Sequence, residues 1–266
     1  MKRTQHWFRM FAVVGVAAAL GACDESTGLE SLEDEMVMDA ALIAADATVE
    51  EVTMWGESLG FGAVPAPSQY DNTGSLAAMG HPGGRGSWSG EFSGTRSRTC
   101  YDEQGVEQDQ CDELLTESIH FLRDIEGSIE RGNFTAEISR ERDMTVSGLL
   151  GEETTRTWNG DGSSSTARSG VLDDGSERSH SVVGEFTFED VVVPIPGSDP
   201  RWPLSGTISR SMTATKVVGD ETTVREVEMT ITFNGTQYAD AVVNGEAMEI
   251  DLSAREGRNP LRRRRG

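Results

Sequence analysis

The sequence predicts a mainly β fold, an antiparallel meander of about ten strands that forms a curled sheet or half-open barrel, with one N-terminal amphipathic helix. Apolar and polar residues alternate along much of residues 88–252, which is the period of a half-buried strand. Turn dipeptides such as Asn234-Gly235 and Asn244-Gly245 separate the alternating segments. No long helical segments intervene between them, which argues against a parallel α/β sheet.

The N-terminus has the layout of a secretory signal peptide. Basic residues precede an uncharged apolar stretch at 10–22, which is shorter than the roughly 20 apolar residues of a membrane span. The stretch ends in small residues, and positions 20–23 are Leu-Gly-Ala-Cys.

These four positions resemble the lipobox of bacterial lipoproteins. The resemblance implies that the signal peptide is removed and that Cys23, alkylated by diacylglycerol on its sulfur, becomes the N-terminal residue. Two or three fatty chains make a stable anchor, since each buried methylene contributes about 0.8 kcal/mol. We therefore expect an exported protein anchored to the bacterial cell envelope, with the choice between inner and outer membrane left open. The alternative is an ordinary signal peptide followed by a chance cysteine.

A helix is predicted next, because apolar residues recur at helical spacing from Leu32 to Met54 and Ser31 with Asp34 forms a capping box. Its polar side is acidic, whereas an interfacial membrane helix would be basic there. We expect the helix to pack on the protein. Detachment of the helix to dock a partner is the functional alternative.

The predicted segments follow one another along the chain. A Gly- and Pro-rich stretch without a sustained period separates the helix from the strands, and arginines are concentrated at the end. The segments are a signal peptide (1–22), a spacer (23–29), an amphipathic helix (30–56), a linker (57–86), an antiparallel β domain (87–253) and a basic tail (254–266).

Candidate strands fill the β domain. They are 88–99, 114–125, 129–138, 143–150, 154–159, 164–171, 179–193, 204–218, 222–233, 237–243 and 247–252. Four prolines near Trp202 interrupt the meander at 193–203 and predict a long loop at the rim of the sheet, with Trp202 packed on it.

The last two turns constrain the strand register. A two-residue turn at Asn244-Gly245 sets Ala241 opposite Met248 and Ala239 opposite Ile250. A second tight turn at Asn234-Gly235 would exchange the buried and exposed faces. A longer or bulged loop is therefore predicted at 234–236.

Charge and cysteine content limit the possible partners. The formal net charge is −22, and a surface this acidic repels nucleic acid, so no nucleic-acid partner is expected. Once Cys23 is lipidated, Cys100 and Cys111 remain, and in an exported protein such a pair predicts a disulfide.

The sequence offers little catalytic chemistry. His81, His120 and His180 lie in different segments, and no cluster has metal-ligand spacing. The stretch that begins at Asn159 starts like a calcium loop but departs from one at Ser164 and Gly170. We predict no cofactor, no metal and no enzymatic activity.

The leading hypothesis is a binding module that holds an apolar ligand or an envelope protein partner. The expected ligand site lies in the curl of the sheet and is lined by Phe186, Phe188, Ile231 and Phe233. A structural or surface-adhesion lipoprotein with a solid sheet is the alternative, and a hydrolase with a hidden site is a third. Arg262 to Arg265 would touch either membrane phosphates or the acidic body of the protein.

Overall fold

The computed structural model describes residues 35–57, 89–131, 134–151, 153–171, 177–254 and 258–263. These residues contain one helix, α1 (Glu35–Glu57), and one antiparallel sheet of eleven strands. The strands are β1 (Ser89–Tyr101), β2 (Glu107–Gln108), β3 (Ser118–Arg131), β4 (Phe134–Ser147), β5 (Thr155–Val171), β6 (Glu177–Pro194), β7 (Ser205–Val218), β8 (Glu221–Thr232), β9 (Tyr238–Val243), β10 (Glu246–Asp251) and β11 (Leu261–Arg263). The predicted signal peptide, Cys23, the spacer, the capping box and the linker at 58–86 lie outside the described residues.

The predicted fold class is confirmed. From β3 to β11 each strand pairs with its neighbours in the chain, while β1 pairs with β3 on one side and with the short β2 on the other. The edges are β2 and β11, so the sheet is open rather than closed into a barrel. No helix in the described residues is long and apolar enough to cross a membrane.

The strands in the first half of the sheet are longer than predicted. Residues 114–171 were expected to form five short strands, but they form β3, β4 and β5. The stretch at 126–128, which contains Gly127, and the charged stretch at 139–143 therefore continue strands rather than turn, because each pairs with a neighbouring strand on both sides.

The expected turn after Asn159 is a bulge inside β5. The pairing with β6 shifts register between Trp158 and Gly160, and Gly160 has a φ of 146°. The Asn159 side chain holds this point by accepting a bond from the Asp190 backbone N–H over 2.7 Å. A turn-forming residue thus kinks the strand without ending it.

The predicted register of the last strands is confirmed. Met248 pairs with Ala241 and Ile250 with Ala239 across a two-residue turn. The preceding connection runs from Phe233 to Gln237, which is the longer loop expected there. Tyr238 therefore faces solvent, and the alanines face the core.

One face of the sheet is buried and the other is polar. Helix α1 packs across β6, β7, β8 and β11 on the buried face. Small residues on its buried stripe, among them Ala40, Ala41 and Ala44, allow the helix axis to lie close to the sheet. Trp202 packs against the edge of the same core, as predicted.

Part of the segment predicted as a basic tail forms a strand of the sheet. Leu261 is buried, and β11 pairs with β10. Arg262 bonds to Asp251, and Arg263 Nε lies 3.4 Å from Glu246 Oε1. The tail arginines were expected to touch either membrane phosphates or the acidic body of the protein. Arg262 and Arg263 contact the acidic body.

Asp251 is a junction between β10 and this tail. Burial alone would raise the pKa of its carboxyl, but bonds from Ser253 and Gln237 and the charge of Arg262 outweigh it and lower the pKa. The carboxyl therefore stays ionised and anchors the edge strand.

The predicted disulfide is present and joins Cys100 at the end of β1 to Cys111, with their Cα atoms 5.4 Å apart. It closes the loop that contains β2 and ties this edge strand to the sheet.

Replacing both cysteines with serine is expected to lower the free energy of unfolding by just under about 3 kcal/mol, because the unfolded chain regains the closed loop's freedom. Urea unfolding of the oxidised wild type and the double variant measures the difference. Adding a reductant should lower the stability of the wild type and leave that of the variant unchanged. Equal stabilities without reductant would contradict a stabilising role.

Candidate functional site

The predicted apolar ligand site is filled by the protein itself. Phe186, Phe188, Ile231 and Phe233 all lie on the helix-facing side of the sheet, and all are buried. Trp55 of α1 packs against two of them, with ring centroids 5.6 Å from Phe188 and 6.3 Å from Phe233. Trp158 stacks on Trp55 at 5.8 Å. A helix side chain therefore completes the core at the place where a ligand cavity was expected.

A different opening lies beside this core, between α1 and the middle strands. It is a cleft of about 40 Å³, here called the arginine cleft. Three arginines line it, Arg140 and Arg142 from β4 and Arg210 from β7. Of the four predicted ligand residues only Phe186 lines it, together with Ile43, Ala44, Ala47, Glu51, Ser164, Thr166, Val182, Gly184, Glu185 and Met212.

The strand register explains why these side chains meet. Arg140 pairs with Ser164, which pairs with Gly184. Two residues further along β4, Arg142 pairs with Gly162, Gly162 pairs with Phe186, and Phe186 pairs with Arg210. Directly paired residues share a face of an antiparallel sheet, so both rows point toward α1.

Glycines on the strands let neighbouring side chains lie close to the sheet, and alanines on the helix leave space above them. Gly162 lies under the Phe186 ring, and a Cβ placed there would be 2.5 Å from that ring. Gly184 is similarly covered by Met212, at 2.7 Å. Above them the helix contributes Ala44 and Ala47, whose short side chains leave a gap between the helix and the sheet.

Glu51 connects α1 to two of the arginines. Its side chain is 1% exposed, and its two oxygens accept bonds from different strands. Arg142 Nη2 lies 3.2 Å from Oε1, and Arg210 Nη2 lies 3.0 Å from Oε2. A buried carboxylate between two guanidinium groups is retained because each charge compensates the desolvation of the others.

Arg210 is the most buried of the cations, with 5% of its side chain exposed. Burial lowers the pKa of its guanidinium, and the nearby positive charge of Arg142 acts in the same direction, while Glu51 raises it. The group lies 5.0 Å from the centroid of the Phe186 ring. Its Nε is buried and has no hydrogen-bond partner. One strong donor in the wall of the cleft is thus unsatisfied.

Arg140 is paired at the more open end. Its Nη1 lies 3.3 Å from Glu50 Oε2, and both side chains are partly exposed. A second cavity of about 20 Å³ adjoins it, lined by Glu50, Arg123, Ile125, Arg140 and Arg142. The basic wall therefore continues past the cleft onto β3.

The two histidines in the described residues, His120 and His180, lie on different strands and do not contact each other. His120 Nε2 lies 2.5 Å from Asp143 Oδ1 on the solvent face of the sheet. His180 is half-buried, and chiefly through burial its pKa is lowered. His81 lies outside the described residues, among which no group of three or more His, Cys, Asp or Glu side chains could hold a metal.

Sequence reasoning missed the arginine cleft, although a signal for it exists. The helix stripe that contains Ala44, Thr48 and Trp55 also contains Glu51, so a charge falls among buried positions. In β7, Arg210 stands where the alternation of Ile208 and Met212 requires an apolar residue. Opposite charges at two such positions indicate a buried ion pair.

The comparisons with other proteins add no assignment to this geometry. No protein-family model, curated protein or solved structure matches the chain.

Proposed function

We propose that the chain is an exported, lipid-anchored protein of the bacterial cell envelope that acts as a non-enzymatic binding module. The lipobox-like segment that ends at Cys23 supports the anchor, and the disulfide is compatible with an exported protein. The binding site in this proposal is the arginine cleft.

The observation that carries the binding role is the arginine cleft itself. It combines an apolar side, formed by Val182 and Met212, with buried guanidinium groups on the other side. Ligand sites typically join an apolar lining to a few fixed polar groups. The cleft is also formed by α1, which begins shortly after Cys23 in the chain. A ligand or envelope protein partner would then be held near the bilayer.

Purification from the native membrane followed by mass spectrometry tests both parts of this proposal. We expect the mature chain to begin at Cys23 with diacylglycerol on its sulfur and a small molecule or protein to co-purify. A Cys23→Ser variant should leave the membrane fraction. An unmodified Cys23 in a chain that still begins at Met1 would overturn the anchor.

A structural or surface-adhesion lipoprotein is the second candidate. The filled core around Trp55 and Phe188 favours it, because the sheet is solid at that point. Native mass spectrometry separates the two candidates. A chain that carries its anchor lipid and nothing else, and that gains no ligand from a membrane extract, would favour the structural role.

A further inference from the structure

We propose that the arginine cleft binds an oxyanion, a carboxylate or a phosphate group, through Arg140, Arg142 and Arg210. This inference rests on the proposed binding function, because it names the chemical class of ligand for the same site. Three independent observations support it, namely the local balance of charge, the unsatisfied donors and the available space.

The charges that face the cleft do not balance. Within the part of the chain that the structure describes, Arg140, Arg142 and Arg210 form ion pairs with two carboxylates, Glu50 and Glu51. Glu185 also lines the cleft, but it alternates with the inward-facing Gly184 and Phe186 and is exposed on the opposite face of the sheet. A local positive excess is unexpected in a chain of net charge −22 and is compensated by a bound anion.

Hydrogen-bond donors are available for such an anion. The buried Arg210 Nε has no partner, and a buried donor left unsatisfied costs about 1–3 kcal/mol. Ser164 and Thr166 bring hydroxyl groups to the floor of the cleft, since they pair with the inward-facing Arg140 and Ile138. Charge-assisted bonds from guanidinium to oxyanion are about twice as strong as neutral ones.

The cleft has the size of a small anionic group. Its volume of about 40 Å³ is a few times the roughly 10–15 Å³ that one water needs. A carboxylate or phosphate head group therefore fits, whereas a drug-sized ligand does not. Any larger part of the ligand would extend along Ile43 and Ala47 toward solvent.

Titration calorimetry of the full chain with inorganic phosphate, against chloride at equal ionic strength, tests the proposal. We expect saturable binding of phosphate in excess of chloride. Arg140→Gln should weaken it by about tenfold or more, because one charge-assisted bond is lost. Arg140 suits this test because its pair with Glu50 is partly exposed and its removal leaves the core intact.

An occluding variant tests the location without changing a charge. Ala47 lines the cleft and is partly exposed, so Ala47→Leu should fill the space and abolish phosphate binding. Thr53→Leu, at an exposed position on the same helix, is the matched control and should bind like wild type. Phosphate binding no stronger than that of chloride, or equal binding by wild type and Ala47→Leu, would overturn the proposal.

A second arm distinguishes a lipid head group from a free anion. Vesicles of phosphatidylglycerol, with phosphatidylcholine vesicles as reference, are added to the wild type and to Ala47→Leu. Displacement of phosphate by the anionic vesicles alone identifies a lipid source, and retention of phosphate identifies a soluble one. A membrane-purified chain that carries a neutral ligand and binds no phosphate would overturn the oxyanion while leaving the proposed binding function in place.

Discussion

Replacing Glu51 with glutamine is expected to lower the free energy of unfolding by about 3–5 kcal/mol. The substitution keeps the size of the side chain but removes the only charge that contacts both Arg142 and Arg210 in the described structure. Arg210, with 5% of its side chain exposed, would be left as an uncompensated buried cation. Urea unfolding followed by circular dichroism measures the loss.

The neighbouring Glu50 supplies a matched control. It also pairs with an arginine of β4, but its side chain is 33% exposed and that of Arg140 is 24% exposed. Water screens such a pair, so Glu50→Gln should cost less than about 1 kcal/mol. Adding Arg210→Met to Glu51→Gln should recover part of the lost stability, because the orphaned cation is replaced by an apolar group. Similar losses for Glu50→Gln and Glu51→Gln would refute the buried bridge.

Replacing Trp55 with alanine should lower the free energy of unfolding by about 3–5 kcal/mol. Trp55 is 1% exposed and contacts Trp158, Phe188 and Phe233 from the last turns of α1. The substitution removes the ring and leaves an apolar cavity that the strands close only in part. Thermal and urea unfolding report the loss.

Trp202→Ala is the control for this prediction. Trp202 is partly exposed at the rim of the sheet, so its loss should cost clearly less than that of Trp55. The Trp55→Ala protein should also bind a small apolar probe such as benzene, which the wild type excludes. Equal destabilisation by the two tryptophan variants would show that Trp55 does not fill the core.

The sequence was sufficient to predict elements where side chains alternate strictly. The register of β9 and β10 followed from Ala241 and Met248, because a slip of one residue would have turned Ile250 to solvent. The same requirement for one buried face predicted the long connection after β8. Burial on one side of a sheet is a local property, and it is visible in the sequence as an alternation of apolar and polar residues.

Strand length and the arginine cleft were not predictable in the same way. Gly127 and Gly160 look like turn residues in the sequence, but pairing with both neighbouring strands keeps them inside strands, Gly160 at a bulge. The proximity of Glu51 to Arg210 depends on how α1 lies across the sheet, which no local pattern records. The packing of Trp55 at the predicted apolar site was not predictable for the same reason, because Trp55 and Phe188 are far apart in the sequence.

The order of the strands along the chain also determines when α1 can dock on the sheet. Each strand from β3 to β11 pairs with a chain neighbour, so the hairpins form locally through short loops. Helix α1 precedes them all, yet its Glu51 bonds to Arg210, 159 positions later. Helix α1 must therefore wait for β7 and β8 before its apolar stripe is covered. Docking of the helix is therefore a late step in folding, and until then its apolar stripe is exposed to solvent.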